Sequence, residues 1–423
     1  MRQNPKTINF NKISVSEQWN FPTQKEELIH RIHAYPAKFP AFITSKAIDY
    51  AIDKGTKLNT IGDVFCGCGT TAYEAKKAGI NFWGCDINPV ATLIAEVKSE
   101  SYNIKSLQKT KESILKVYDH ICDDGVEMDE VNPRIKYWYE NEQIQDLFQL
   151  KEAINLVKRN NSSYKKFFLV AFSNILKPTS RWLTKSIKPT IDPVKVPAEV
   201  RAAFVKQVDF MIKAFQQSKT VEARPSIEIE TTSVSKLSDK DINLDLIVTS
   251  PPYVTSYEYA DLHQLSTLWL DYTSDYRTFR QGTIGSVHNH VEFEKDVKAL
   301  NKTGEDIVFQ LYAKDKARAR NAARYYIDMQ NVTNLSYQKL NKKGYAFFVI
   351  GNTEYKGVQI NNAKHLKEAM YQAGFRYLKV HKRKISNKIL TPYRDKSGKF
   401  TSSSTGRKIY AEEFIVIGKK TRV

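Results

Sequence analysis

Residues 249–253 read Thr-Ser-Pro-Pro-Tyr and follow the apolar run Leu244-Asp245-Leu246-Ile247-Val248. One hydroxyl, two stiff prolines and an aromatic face suit the gripping of a planar amine. An amine on a conjugated ring is a poor nucleophile, because its lone pair is delocalised into the ring. A hydrogen-bond acceptor on each N–H favours the pyramidal, attacking state over the planar ground state, so the gain falls on the transition state. In this reading the Ser250 hydroxyl accepts one N–H and the Pro251 carbonyl accepts the other. Pro251 and Pro252 stiffen the loop backbone, and Tyr253 stacks on the planar ring that carries the amine.

The run before this loop reads as a buried parallel strand, and open α/β sheets place their chemistry at the carboxyl ends of such strands. Other strand signals fall at Asn59–Phe65, Asn81–Asp86, Ile227–Thr231, Tyr345–Gly351, Phe375–Val380 and Glu413–Ile417, with helices at Ala72–Ala78 and Val90–Val97. The order predicts a doubly wound, seven-stranded, mostly parallel sheet of Rossmann-like type. Between about Ser101 and Ser218 the periodicity is helical, as in Ile144, Leu147, Leu150, Ile154 and Val157. A polar, proline-containing stretch, Leu176–Pro197, interrupts it. The expected organisation is an N-terminal part of the core at 1–100, a mainly helical insertion at 101–224 and a C-terminal part of the core at 225–423.

The first strand runs into Asp63-Val64-Phe65-Cys66-Gly67-Cys68-Gly69-Thr70-Thr71. Glycines in such a turn let backbone amides approach a ligand, and the helix N-terminus that follows favours negative charge. Asp86 ends the second strand about 20 residues on, where an acidic side chain accepts hydrogen bonds from a ribose diol. The third glycine of the dinucleotide fingerprint is absent, because position 72 is Ala. The four cysteines, Cys66, Cys68, Cys85 and Cys122, lack metal-type spacing, and no metal site is expected.

Phe65-x-Gly67-x-Gly69 with a strand-terminal Asp86 resembles the S-adenosylmethionine site of methyltransferases. Together with Ser250-Pro251-Pro252-Tyr253 it is similar to the amino-methyltransferases, which methylate the exocyclic nitrogen of a nucleobase. The resemblance covers most of residues 30–100 and 225–420, the catalytic core but not the insertion. It implies that Tyr35 and Lys38, in the upstream stretch His33–Pro40, cover the cofactor's methionine end. Asp63, Phe65, Gly67, Cys68, Gly69, Thr70 and Asp86 form the cofactor site, and Ser233, or Thr231 beside it, contacts the adenine edge. The leading Ser250, where many relatives carry Asp, tilts the implied target toward N4 of cytosine. The cofactor motif precedes the catalytic motif, which excludes the family's common reversed order.

Charge bears on the partner. Lys plus Arg number 65 against 46 Asp plus Glu, a net +19. Residues 151–220 hold 14 basic and 4 acidic side chains, and 381–423 hold 12 and 3, so these windows account for the whole excess. That concentration fits a phosphate backbone, and the implied partner is double-stranded DNA, with a cognate restriction endonuclease acting on the same site. Arg181, Lys185 and Lys188, interleaved with Trp182, and Arg394 in the basic stretch Lys388–Phe400, are the expected DNA contacts. No apolar run reaches the ~18 residues of a membrane span, and the opening MRQNPKTINFNK has no apolar signal core, so a cytoplasmic, membrane-free protein is expected. Three alternatives stand beside this reading: adenine N6 as target, an RNA base as target, and a non-catalytic nucleic-acid-binding protein with a relic cofactor site.

Overall fold

A computed structural model of the chain describes residues 10–421 apart from 21–24, 37, 122–125, 159–161, 185, 187, 219–223, 255–257, 287, 291, 386–392, 395–399, 402–406 and 409–411. Seven strands form the central sheet: β1 (Thr60–Asp63), β2 (Asn81–Asp86), β3 (Ile227–Thr231), β4 (Leu244–Thr249), β5 (Leu340–Ile350), β6 (Arg376–Lys384) and β7 (Glu412–Lys419). Their spatial order is β3-β2-β1-β4-β5-β7-β6. All neighbours are parallel except β7, which runs antiparallel to both β5 and β6. The order reverses between β1 and β4, and the crevice at that switch point is where an α/β sheet binds its ligand.

Each expected strand is present, and the ends differ for local reasons. β1 stops at Asp63 rather than Phe65, because the backbone turns once the Asp63 carboxylate accepts the Phe65 N–H at 3.0 Å. β5 begins at Leu340, five residues earlier than its apolar core suggests, because Leu340 still pairs with Leu244 across an irregularity in the β4–β5 register. β4 is buried along its whole length, including Asp245, whose carboxylate accepts the N–H groups of Asn59 and Thr60 and an amide N–H of Asn341. Burial of Leu246, Ile247 and Val248 stabilises this strand by roughly 1.5–3 kcal/mol each.

Helix α1 (Phe42–Asp53) covers one face of the sheet, and α2 (Thr70–Lys77) and α3 (Pro89–Ser99) follow β1 and β2. The α3 start is written in sequence: the Asn88 side chain accepts the Val90 N–H and Pro89 occupies the first turn. Helices α4 (Ile104–His120), α5 (Pro133–Trp138), α6 (Asn141–Val157), α7 (Ser163–Ile175) and α8 (Val200–Gln217) make up the insertion. They share one apolar cluster with α3: Val90, Leu93, Ile94 and Val97 pack with Leu147, Phe167, Phe172, Phe204 and Met211. The cluster also takes in Leu265, Leu268 and Trp269, downstream of the Ser-Pro-Pro-Tyr loop, so the insertion is built onto the wall of the switch-point crevice.

The stretch before β7 is more than a basic turn. Tyr393–Arg394 pairs antiparallel with both Phe400–Thr401 and Arg407–Lys408 in a small separate sheet. Among the described residues no helix is long and apolar enough to cross a membrane.

Candidate active site

The turn after β1 needs its glycines for two different reasons. Gly67 (φ +48°) and Gly69 (φ +73°) both adopt left-handed backbone. At Gly69 a Cβ would also lie 2.6 Å from the Ala95 Cβ, so this glycine sets the close approach of α2 to α3. Gly67 faces the crevice, where the nearest atom to an added Cβ is on the Tyr35 ring at 3.5 Å. The Gly67 N–H donates to Asp86 Oδ2 and the Asn88 N–H to Oδ1, both at 2.9 Å. The carboxylate thus fixes both β-to-α turns from within, with lone pairs left for a ligand. Burial pushes its pKa up to about 6.

One cavity joins the cofactor turn to the catalytic loop. It is lined on one side by Phe65, Gly67, Cys68, Thr70, Asp86 and Ser233, and on the other by Ser250 and Pro252, with Tyr35 and Lys38 above. Lys38 donates to Glu26 at 2.7 Å and to the His30 carbonyl, which holds its ammonium at the rim. Ser233 caps the short helical turn after β3 and lines the cavity, whereas the Thr231 hydroxyl bonds that of Thr92.

Four expected site residues do other work. Asp63 is buried beneath the turn instead of lining the cavity, because its carboxylate accepts from Thr249 Oγ1 at 2.6 Å, Thr71 Oγ1 at 2.9 Å and the Phe65 N–H. It ties β1, α2 and β4 together, and burial pushes its pKa up to about 7. Gly69 is turned to Ala95, as above. Pro251 is buried, while the Tyr253 ring lies on Gly351, where an added Cβ would come within 2.8 Å of it. Neither of these two lines the cavity in this conformation.

Ser250 sits at the carboxyl end of β4 and donates its hydroxyl proton to the Val349 carbonyl at 3.1 Å. The lone pairs of that oxygen are what it then offers to a ligand. The Pro252 carbonyl accepts the Tyr325 hydroxyl at 2.8 Å, so a tyrosine 73 residues away pins the loop. Tyr325 was not among the expected site residues. Its signal was a buried aromatic pair, Tyr325 and Tyr326, indistinguishable in sequence from core packing.

Two more contributors were not assigned to the site from sequence, although His263 was legible as part of the aromatic stretch that follows the catalytic loop. His263 is buried, lines the cavity and stacks on Tyr35 with ring centroids 5.0 Å apart. Burial pushes its pKa down to about 4, so the imidazole is neutral at neutral pH. The second is an amide clamp on the cofactor-covering loop. Asn174 Oδ1 accepts the Ala34 N–H at 2.9 Å, Gln207 Nε2 donates to the Ile32 carbonyl at 2.8 Å, and the two amides bond each other at 2.7 Å. Ser173 meets His33 Nε2 at 3.0 Å. Helices α7 and α8 therefore hold the residues just before Tyr35.

The expected DNA contacts are scattered in outcome. Arg181 is engaged by Glu140 at 2.9 Å and by the Tyr137 carbonyl, while Lys188 is exposed and makes no ion pair among the described residues. Lys185 and the side chain of Arg394 lie outside the described residues. Cys66, Cys68 and Cys85 are buried free thiols, and the buried Lys98 Nζ donates to Cys68 Sγ at 3.4 Å.

The strand order, with a single antiparallel strand next to the edge, and the glycine turn facing a strand-terminal acid define a class I methyltransferase, whose cofactor is S-adenosylmethionine. The cradle fits that group: a backbone without a Cβ at Gly67 facing the crevice, a carboxylate with spare lone pairs at Asp86 and a polar rim at Lys38. A family model described as DNA methylase, of the N6/N4 type, matches residues 2–97. The type II methyltransferase M.MvaI of Kocuria varians is 25% identical over 397 residues, covering 86% of this chain and 86% of that protein. M.BsoBI of Geobacillus stearothermophilus, also a type II methyltransferase, is 25% identical over 295 residues, 62% of this chain and 56% of the relative. M.MjaII of Methanocaldococcus jannaschii, a third of that name, is 36% identical over 87 residues, 20% of this chain and 16% of the relative. The chain is thus similar to the N6/N4 DNA methylases over its first 97 residues and to a type II methyltransferase over most of its length.

Proposed function

We propose that the protein is a type II DNA methyltransferase of a restriction-modification system. It transfers a methyl group to the exocyclic N4 amine of a cytosine flipped out of duplex DNA. The observation that carries this reading is the Ser250 hydroxyl, which gives its proton to Val349 and keeps its lone pairs for an incoming N–H. When bound, S-adenosylmethionine supplies an electrophilic methyl on a positively charged sulfur.

The chain's own residues do the rest by position. Ser250 Oγ and the Pro251 carbonyl each accept one amine N–H, which draws the nitrogen toward the attacking geometry. Tyr325 holds the Pro252 carbonyl, so that part of the loop is fixed while Tyr253 and the buried Pro251 adjust to the arriving base. Asp86 and Gly67 orient the cofactor, and Tyr35 backed by His263 closes the cavity over it. No side chain has to act as a strong base, because the amine proton becomes acidic once the nitrogen is methylated. Tyr253 leaves Gly351 to stack on the flipped base. The exposed Lys188 and the basic insertion hold the phosphates, and Lys185, Arg181 and Arg394 are assigned to the same task, Arg181 after exchanging Glu140 for a phosphate. A cognate restriction endonuclease acts on the same sequence.

The test is incubation of the full chain with methyl-labelled cofactor and duplex DNA, then nucleoside digestion and mass analysis. N4-methylcytosine is the predicted product. N6-methyladenine would move the assignment to the other amine, and label found only in RNA would overturn the DNA reading.

A further inference from the structure

The insertion carries a stiff, outward-facing strap. The Leu183 N–H donates to the Thr190 carbonyl at 2.8 Å and the Asp192 N–H to the Arg181 carbonyl at 2.9 Å, around an isolated bridge between Trp182 and Ile191. Beyond that bridge the Asp192 side chain accepts the Val194 N–H, and the Ala198 N–H returns to the Pro178 carbonyl at 3.1 Å. Lys195 points inward, its Nζ donating to the carbonyls of Lys177 at 2.9 Å and Trp182 at 2.8 Å. Alternation around Lys195 leaves Val194 and Val196 on the outside, 85% and 88% exposed. They are the most exposed large apolar side chains among the described residues. Pro193 and Pro197 bracket them, so little backbone freedom remains to be lost on binding.

The surroundings point to one kind of partner. From Ala153 to Ile191 the chain has eight basic residues and no acidic one. A pair of rigid apolar prongs among cations matches a nucleic-acid groove, where apolar base edges lie between two rows of phosphates. The strap is also coupled to the cavity. Trp182 stacks on Trp138 at 4.9 Å, the Trp138 Nε1–H donates to Gln264 Oε1 at 3.0 Å, and Gln264 directly follows the cavity residue His263.

We infer that the turn Pro193–Pro197 is an apolar wedge, with Val194 and Val196 entering a groove of duplex DNA while the neighbouring cations hold the phosphates. This rests on the reading of duplex DNA as substrate, and the experiment separates failure of one from failure of the other. Binding of a mixed-sequence duplex by the full chain is measured at a series of salt concentrations for wild type, the double variant Val194→Ser/Val196→Ser and Lys188→Ala. The double variant is expected to bind roughly tenfold more weakly at every salt concentration, since apolar burial is lost and no phosphate contact changes. Lys188→Ala is expected to flatten the salt dependence by about one unit of slope. Cofactor affinity and melting temperature stay at wild-type values in both, which reports on folding.

If the double variant matches wild type while Lys188→Ala weakens binding, the wedge is wrong and the DNA surface stands. If wild type retains no duplex at low salt, the DNA reading itself falls. If the valine changes abolish self-association in sedimentation, or binding to anionic lipid vesicles, and leave duplex affinity unchanged, the prongs serve that other partner and the wedge is overturned.

Discussion

The two ends of the cavity are built in opposite ways. The cofactor end is mostly local: Gly67, Gly69, Asp86 and Asn88 lie in or beside one β-α-β unit, and the bonds from Gly67 and Asn88 to Asp86 join residues at most 19 positions apart, while Asp63 beneath the turn also reaches Thr249 of β4. The catalytic end is assembled from afar, with Ser250 tied to Val349, Pro252 to Tyr325 and the Tyr253 ring seated on Gly351. A local cradle tolerates change elsewhere in the chain, whereas a loop pinned by distant elements registers disturbance in each of them. The cofactor cover belongs to neither type. Tyr35 is locally near the turn, yet the loop that carries it is clamped by Asn174 and Gln207 of the insertion.

If this contrast holds, damage at one end should leave the other intact. Apart from loss of the Ser250 hydroxyl, the largest effect is expected at Asp86, which orders both turns: Asp86→Ala should raise the cofactor dissociation constant about a hundredfold, because hydrogen bonds to a charged group are worth roughly 1.5–3 kcal/mol each. Calorimetric titration of cofactor checks this, with duplex retention unchanged. Tyr253→Ala should lower kcat/KM for DNA roughly tenfold or more through lost stacking, with cofactor affinity held. Steady-state kinetics on a methylatable duplex decide it, and equal loss of cofactor affinity in both variants would erase the contrast. Tyr325→Phe removes one neutral hydrogen bond worth about 1 kcal/mol, so a roughly fivefold fall in single-turnover rate is expected, again without a change in cofactor affinity.

The smallest effect is one of pH. Asp86, pushed up to about 6 by burial, must be ionised to accept hydroxyl donors, so cofactor affinity should be flat above about pH 6 and weaken below it. Stability runs the other way. Asp63 and Asp86 bind protons more tightly folded than unfolded, so their contribution is full below about pH 4 and declines as pH rises toward about 7. Denaturant unfolding of wild type and Asp63→Asn across that window should show the variant losing less stability with rising pH.

The same contrast explains what could be read from sequence. The fold was legible because β4, β5 and β7 are compact apolar runs and the turns after β1 and β2 are marked by Gly67 and Gly69, and by Asp86, Asn88 and Pro89. Asp86 and Gly67 were legible as cavity residues because their geometry is local. Asp63 was misplaced, since a strand-terminal acid beside a glycine turn looks the same whether it faces a ligand or two buried threonines. Tyr325, Asn174 and Gln207 were hidden because their roles exist only after residues dozens of positions or more apart have met. Arg181 looked like a free cation until the fold brought Glu140 beside it.

The central claim is that the Ser250 hydroxyl, its proton tied to Val349, accepts an N–H of the target amine. The most direct measurement is the single-turnover rate of methyl transfer to duplex DNA by Ser250→Ala, beside its cofactor dissociation constant. Loss of one preorganised group is expected to slow transfer roughly 10²–10³-fold, with cofactor affinity within about twofold of wild type. A Ser250→Ala enzyme that transfers methyl groups at the wild-type rate would contradict the account.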